Sequence, residues 1–292
     1  MSRRRVVVLG SLHYDITVET PNWPSQGETA IGSAWAPKLG GKGRNQAVAA
    51  ARDGAPTEMI GAVGTDQFAT ALVGDLQRRG IGHDRVRATA DAGSGMSVAL
   101  FDTTGDYRAV IVSAANLTLG PSDVPAAEFW SDVAVLVLQN EVPEAANVAA
   151  ATAARAAGVR IMLNAAPARA LGPALRTNID LLIVNAVEAA ALASMAEPRS
   201  LDEALTAAQK LAADFAQVVV TAGGAGLAYA AAETALTLPA EPIVPISTHG
   251  AGDEFVGHLA ARLAAGDTIE AALHAANHAA ATLVATPTEQ RD

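Results

Sequence analysis

The chain has 292 residues, 20 of them basic and 30 acidic, for a formal net charge of −10. That balance excludes a general nucleic-acid surface, which needs a basic face. The absence of cysteine excludes disulfides, iron–sulfur clusters, thiolate metal sites and a cysteine nucleophile.

Half the residues are hydrophobic, many of them alanine, and 4% are aromatic. This suits helices packed closely on a buried sheet, and the length allows one large domain or a domain with a small appendage. The basic start is followed by only a short apolar run, Val6 to Leu9, and no later stretch offers 18 apolar residues free of charge. The expectation is a soluble, cytoplasmic protein with no membrane partner.

Arg5 to Leu9 reads as a buried strand ended by Gly10. The sequence after it, Gly10-Ser11-Leu12-His13-Tyr14-Asp15, is not the Gly-x-Gly-x-x-Gly of a dinucleotide fold. Asp15 falls just past the carboxyl end of this strand, as a turn residue or a ligand-binding one. Segments 15–19 and 28–32 alternate as short strands broken by Pro21, Pro24 and Gly27, and 96–101 with 108–112 form a second hairpin around Thr103-Thr104-Gly105-Asp106. Together the two hairpins, about 15–36 and 96–113, could form a small sheet outside the main body.

Between them, Gly40-Gly41-Lys42-Gly43-Arg44-Asn45 opens an alanine-rich helix that runs to Asp53-Gly54. This is no Walker A loop, since neither Ser nor Thr follows the Gly-Lys. A strand at 59–63 and a helix capped by Thr65-Asp66 complete this half.

From residue 133 strands and helices alternate, with strands at 133–138, 159–163, 181–184 and 218–220. Each runs into a polar residue, so Glu141, Asn164, Asn185 and Thr221 are expected along one rim of a parallel sheet. A glycine turn, Gly223-Gly224-Ala225-Gly226, follows on that rim. Near the end, Gly250-Ala251-Gly252-Asp253 leads into a helical pattern from Phe255 to Ala264. Two glycines at a helix start can turn backbone N–H groups toward an anion. Asp253 in that turn reads either as a helix cap or as a base beside a phosphate socket. His274 and His278, four apart on the last helix, have a zinc-compatible spacing but no third ligand in the sequence.

Four of these motifs together resemble the ribokinase-like (PfkB) carbohydrate kinase family over nearly the whole length. The segments 40–52 and 250–257 resemble its two signatures, Asn185-Ala186-Val187-Glu188 its Asn-x-x-Glu motif, and Thr221 to Gly226 its nucleotide loop. The resemblance implies a doubly wound, mostly parallel α/β fold with a small β lid. It implies phosphoryl transfer from ATP to a hydroxymethyl group of a small sugar, ribose or a related pentose or hexose. A nucleoside kinase or a non-catalytic sugar or nucleotide sensor are the alternatives.

Carried over, Asp253 is the base, and Gly250, Ala251 and Gly252 form the anion hole. His13, Asp15, Gly40, Gly41, Lys42, Asn45, Glu141 and Asp253 hold the sugar. Asn185, Thr221, Gly223, Gly226, Gly252 and Asn277 meet the nucleotide, and Glu188 meets magnesium through water. The lid implies a homodimer.

Three positions depart from the family pattern. Ser247-Thr248-His249 lacks the aspartate that helps bind an activating monovalent cation, and the C-terminal segment that closes that site is unrecognisable in Thr286-Pro287-Thr288-Glu289. His13 stands where ribokinases usually carry asparagine.

Overall fold

The computed structural model describes residues 5–103, 106–287 and 290–291. In chain order the strands are β1 (Arg5–Leu9), β2 (His13–Glu19), β3 (Ala34–Gly40), β4 (Thr57–Val63), β5 (Gly82–Ala88), β6 (Gly95–Phe101), β7 (Tyr107–Val112), β8 (Val133–Gln139), β9 (Arg160–Asn164), β10 (Leu181–Asn185), β11 (Gln217–Thr221), β12 (Gly226–Ala231) and β13 (Ala235–Pro239). The helices are α1 (Lys42–Arg52), α2 (Gln67–Arg78), α3 (Glu144–Ala156), α4 (Pro173–Arg176), α5 (Ala186–Ala193), α6 (Leu201–Leu211), α7 (Ala251–Ala265) and α8 (Ile269–Ala285).

The main sheet has nine strands in the order β13-β12-β11-β10-β9-β8-β1-β4-β5, parallel from β11 to β5 and antiparallel at β12 and β13. Alternation along its strands divides the core in two. Val7, Leu9, Leu136, Leu138, Leu182 and Val184 face α3, α5 and α6, while Val6, Val8, Val135, Val137, Leu181 and Ile183 face α1, α2, α7 and α8. Strands covered on both faces are apolar throughout, which is why they read as runs rather than as alternating patterns. Alanines on the helices (Ala47 and Ala50 on α1, Ala150 and Ala154 on α3, Ala260 on α7) are fully buried and allow close helix–sheet approach.

The two hairpins join. Strand β2 pairs in parallel with β6, from His13 with Gly95 to Glu19 with Phe101, giving a separate sheet in the order β3-β2-β6-β7. The expected strand at 28–32 is absent; β3 lies at 34–40 instead, paired from Ala34 with Glu19 to Gly40 with His13. Pro21, Pro24 and Gly27, the last at φ 81°, keep the connection out of the ladder until Ser33 donates to the Glu19 carbonyl. Pro37 is tolerated because β3 is an edge strand. Of the expected hairpin turn, Thr104 and Gly105 lie outside the described residues.

Strands β5, β12 and β13 were not anticipated. β5 is an edge strand carrying His83-Asp84-Arg85-Val86-Arg87, with no apolar face to betray it. No helix among the described residues is long and apolar enough to cross a membrane.

Candidate active site

Strand ends bring the polar residues to one rim. Asn185 and Thr221 are register partners on β10 and β11, and Asn164 pairs with Ile183 and Gln139. The link from β1 into β2 passes beneath the start of α1, and the glycines there serve that contact. A Cβ on Gly41, which sits at φ 91°, would lie 2.8 Å from the Ser11 carbonyl oxygen, and one on Gly43 would lie 2.6 Å from the Ser11 nitrogen. A Cβ on Gly40 would strike the Asp15 carboxylate at 2.1 Å. The small residues of this turn therefore let α1 meet the chain's own 11–15 segment.

Helix α7 begins at Ala251, four residues before the apolar pattern starts, because Gly250 adopts the left-handed conformation (φ 83°) as its N-cap without a side-chain cap bond. Helix geometry leaves the first-turn N–H groups of Gly252 and Asp253 without intrahelical carbonyl partners. Gly252 is exposed, with nothing within 4 Å of where a Cβ would stand. Asp253 is buried and does not cap its own helix; its carboxylate points at α1. Asn45 Nδ2 donates to Oδ2 at 3.0 Å, and Gln46 Nε2 donates to Oδ1 at 2.9 Å. Gln46 also reaches Asn164 Oδ1 at 3.1 Å, tying the carboxylate to the end of β9.

The amide of Asn45 is oriented in turn. Its Oδ1 accepts from Arg44 Nη1 at 3.2 Å, and the Arg44 guanidinium is held by buried Asp75 at 2.5 Å. A chain of hydrogen bonds thus runs from Asp75 through Arg44 and Asn45 to Asp253.

Burial raises the Asp253 carboxyl above the usual aspartate range, against the pull of Lys42, Asn45 and Gln46. Burial likewise raises Glu188. For Lys42, burial opposes the charged form, but the fields of Asp253, Glu141 and Glu188 outweigh it and raise its pKa. These four side chains therefore share one electrostatic environment. Glu141 accepts from Ser11 Oγ and, at 2.9 Å, from the Lys42 backbone N–H. Asn185 and Glu188 form a reciprocal capping box at the start of α5, both bonds 2.9 Å.

Other expected residues are spread more widely. Asp15 accepts from Ser97 Oγ at 2.5 Å on the small sheet. His13 is 3% exposed, and its Nε2 has no hydrogen-bond partner. Gly223 and Gly224 are open, whereas Gly226, at φ 118°, is needed where a Cβ would lie 2.1 Å from the Leu238 carbonyl oxygen. Asn277 lies apart from the carboxylates and donates to Pro239 O at 3.1 Å; Ala240 next to it donates to Ala225 O in the glycine turn. His278 bonds Glu241, and no metal-holding cluster of His, Asp and Glu occurs among the described residues.

Sequence reasoning passed over Gln46, Asn164's part in holding it, and Arg44–Asp75. The adjacent polar pair Asn45-Gln46 within an otherwise alanine-rich buried helix was the available signal.

The arrangement can hold a buried carboxylate at ordinary hydrogen-bond distance from amide donors, beside a helix start suited to an anion. Comparison with known proteins agrees with that chemistry. Residues 3–291 match the model of the pfkB family carbohydrate kinases. The chain is 35% identical over 282 residues to the ribokinase of Bacillus subtilis (strain 168), covering 96% of this chain and 93% of that one. It is 34% identical to the ribokinase of Mus musculus, covering 89% and 81%. Among solved structures, Arabidopsis thaliana ribokinase complexed with ribose and ATP superposes with a TM-score of 0.89 at 28% identity, covering 97% and 93%.

Proposed function

The chain belongs to the pfkB family of carbohydrate kinases and is an ATP-dependent sugar kinase, and we propose that its acceptor is the hydroxymethyl group of ribose or a closely related small sugar. The observation that carries the reading is Asp253: a buried carboxylate with a raised pKa, aimed by Asn45 and Gln46, one residue beyond the open Gly250–Gly252 turn.

In this reading Asp253 takes the proton of the sugar hydroxyl as its oxygen attacks the γ-phosphorus, and the bond from that phosphorus to the β–γ bridging oxygen breaks to release ADP. A carboxylate whose pKa lies nearer neutrality is a better base than an ordinary one. The turn of Gly250, Ala251 and Gly252, with the free N–H groups of Gly252 and Asp253, takes the charge on the transferring group, which moves toward them; the Ala251 N–H donates to the Thr248 carbonyl here. Lys42, Asp15, Asn45 and Glu141 hold the sugar hydroxyls. The sugar lies between the rim and the small sheet of β2, β3, β6 and β7, which acts as its lid.

Asn185, Thr221, Gly223 and Gly224 line the nucleotide side, and Asn277 borders it. Glu188, without a metal-holding cluster of His, Asp and Glu among the described residues, would suit a magnesium ion that arrives on the nucleotide and keeps its waters. When bound, it neutralises phosphate charge. A nucleoside kinase, with His13 stacking on or bonding to a base, is the alternative; at 3% exposure the ring offers no open face for stacking. Trp35, Val110, Ile111 and Val112 on the small sheet are all at least half exposed, which supports pairing with a second copy, readable by analytical ultracentrifugation. The use of ATP supports a cytoplasmic location.

The test is Asp253→Asn with ATP and ribose, then other pentoses and hexoses. Turnover is expected to fall by about 10²–10⁴-fold with ATP binding kept. Near-normal turnover in the variant would overturn the assignment.

A further inference from the structure

Arg291 bridges the segment before α7 and the segment after α8. Its guanidinium donates from Nε to Thr286 O at 2.9 Å, from Nη1 to His249 O at 3.0 Å and from Nη2 to Ser247 O at 2.8 Å. All three acceptors are main-chain carbonyls, two just before α7 and one just after α8. The same strap is pinned by Ile246 N–H and Ser247 N–H, both donating to Val284 O. Directly after His249 come Gly250 and the first turn of α7, which carries Asp253.

Carbonyl oxygens converging from separate segments form a site for a cation. The family resemblance implies a monovalent ion in this region, and the residues present do not fit one. The acidic ligand is replaced by Ser247-Thr248-His249, and the carbonyls already accept from a permanently charged side chain. A bound potassium ion would face that charge, and Ser247-Thr248-His249 brings no carboxylate to offset it.

We propose that Arg291 is a built-in cation: its guanidinium holds the 247–249 strap, and through it the anion turn of α7, so that turnover needs no monovalent ion. Arg291 is a positioning residue here, since it touches neither substrate nor reacting atoms. The proposal rests on the reading of Asp253 and the Gly250–Gly252 turn as the phosphoryl-transfer centre. Guanidinium suits the task because its donors spread in a rigid plane, whereas an ammonium presents one compact charge.

The experiment uses the full chain as wild type, Arg291→Ala and Arg291→Lys, with ATP and ribose, in potassium, sodium or choline chloride at matched ionic strength. Wild-type kcat is expected to change by less than about twofold among the salts. Arg291→Ala is expected to lose about tenfold or more in kcat, to regain much of it with millimolar methylguanidinium or with potassium, and to show faster amide exchange confined to 246–252. Arg291→Lys, which keeps the charge, is expected between the two and serves should the alanine variant fail to fold.

Potassium activation of the wild type, full activity of Arg291→Ala, or a loss that neither cation restores would each overturn the proposal. If no sugar is phosphorylated, the kinase reading fails by itself. The exchange measurement still decides whether Arg291 orders the strap.

Discussion

Replacing Gly252 by alanine separates the needs of the fold from those of the reaction. Gly252 is the second residue of α7, outside the left-handed region, and no atom lies within 4 Å of a Cβ built there. The fold therefore loses nothing by the change. Alanine in place of glycine within a helix is worth about 0.5–1 kcal/mol, attenuated this close to the N-terminus. At about 2–4 °C per kcal/mol for a chain of this size, the thermal midpoint is expected to hold or rise by up to about 4 °C.

If the space above Gly252 is where the transferring phosphoryl sits, the new methyl occupies it and moves the group off its N–H donors. Loss of one such donor typically lowers kcat by about 10²–10³-fold, and a fall of about that size is expected. Calorimetry and a coupled ADP assay on the same preparation read both quantities. Turnover within about twofold of wild type would refute the anion turn. A drop in midpoint alongside turnover would instead make Gly252 a packing residue.

Gly257, further along α7, predicts instead that stability and turnover fall together. A Cβ there would stand 2.4 Å from both Ala49 Cβ and the Gln46 carbonyl oxygen, so Gly257→Ala must push α7 from α1. The expected cost is about 1–3 kcal/mol, seen as a lower thermal midpoint, with kcat reduced because Gln46 no longer reaches Asp253. The acid limb of kcat/KM is expected above the ordinary aspartate pKa of about 3.9. Burial raises the Asp253 carboxyl, the ionised form is the base, and activity disappears as pH falls through that raised value; a limb at or below the ordinary value contradicts the assignment. Asp75 behaves inversely. Burial alone would raise its carboxyl, but Arg44 and Arg79 outweigh burial and hold it low, so its stabilisation is complete above the ordinary aspartate range and is lost only as pH falls through the depressed folded value. Asp75→Ala strands the buried Arg44 charge and is expected to cost about 3–5 kcal/mol in denaturant unfolding at neutral pH, and to slow turnover by freeing the Asn45 amide.

What could be read in the sequence was local chemistry. Buried parallel strands are apolar runs, and the residues ending them, Asn164, Asn185 and Thr221, fall on one rim whatever the strand order. Asn185 and Glu188 announce their capping box because its partners are three residues apart. Strand β5 was silent for the opposite reason: it pairs on one side only, carries charge and so has no period to detect.

The support of Asp253 was silent as well, because Asn45 and Gln46 lie 208 and 207 residues from it and Arg44 lies 31 from Asp75. Only packing α1 against α7, through the missing side chain of Gly257, creates those contacts. The Gly40–Gly43 turn shows the limit from the other side. Its glycines suggested close approach of a ligand, yet Gly41 and Gly43 meet Ser11 of the same chain; composition reports that something comes near but not what. Arg291 is the extreme case. A side chain whose partners are all backbone carbonyls leaves no complementary residue anywhere in the sequence, so its role becomes visible only when α7 and α8 are brought together.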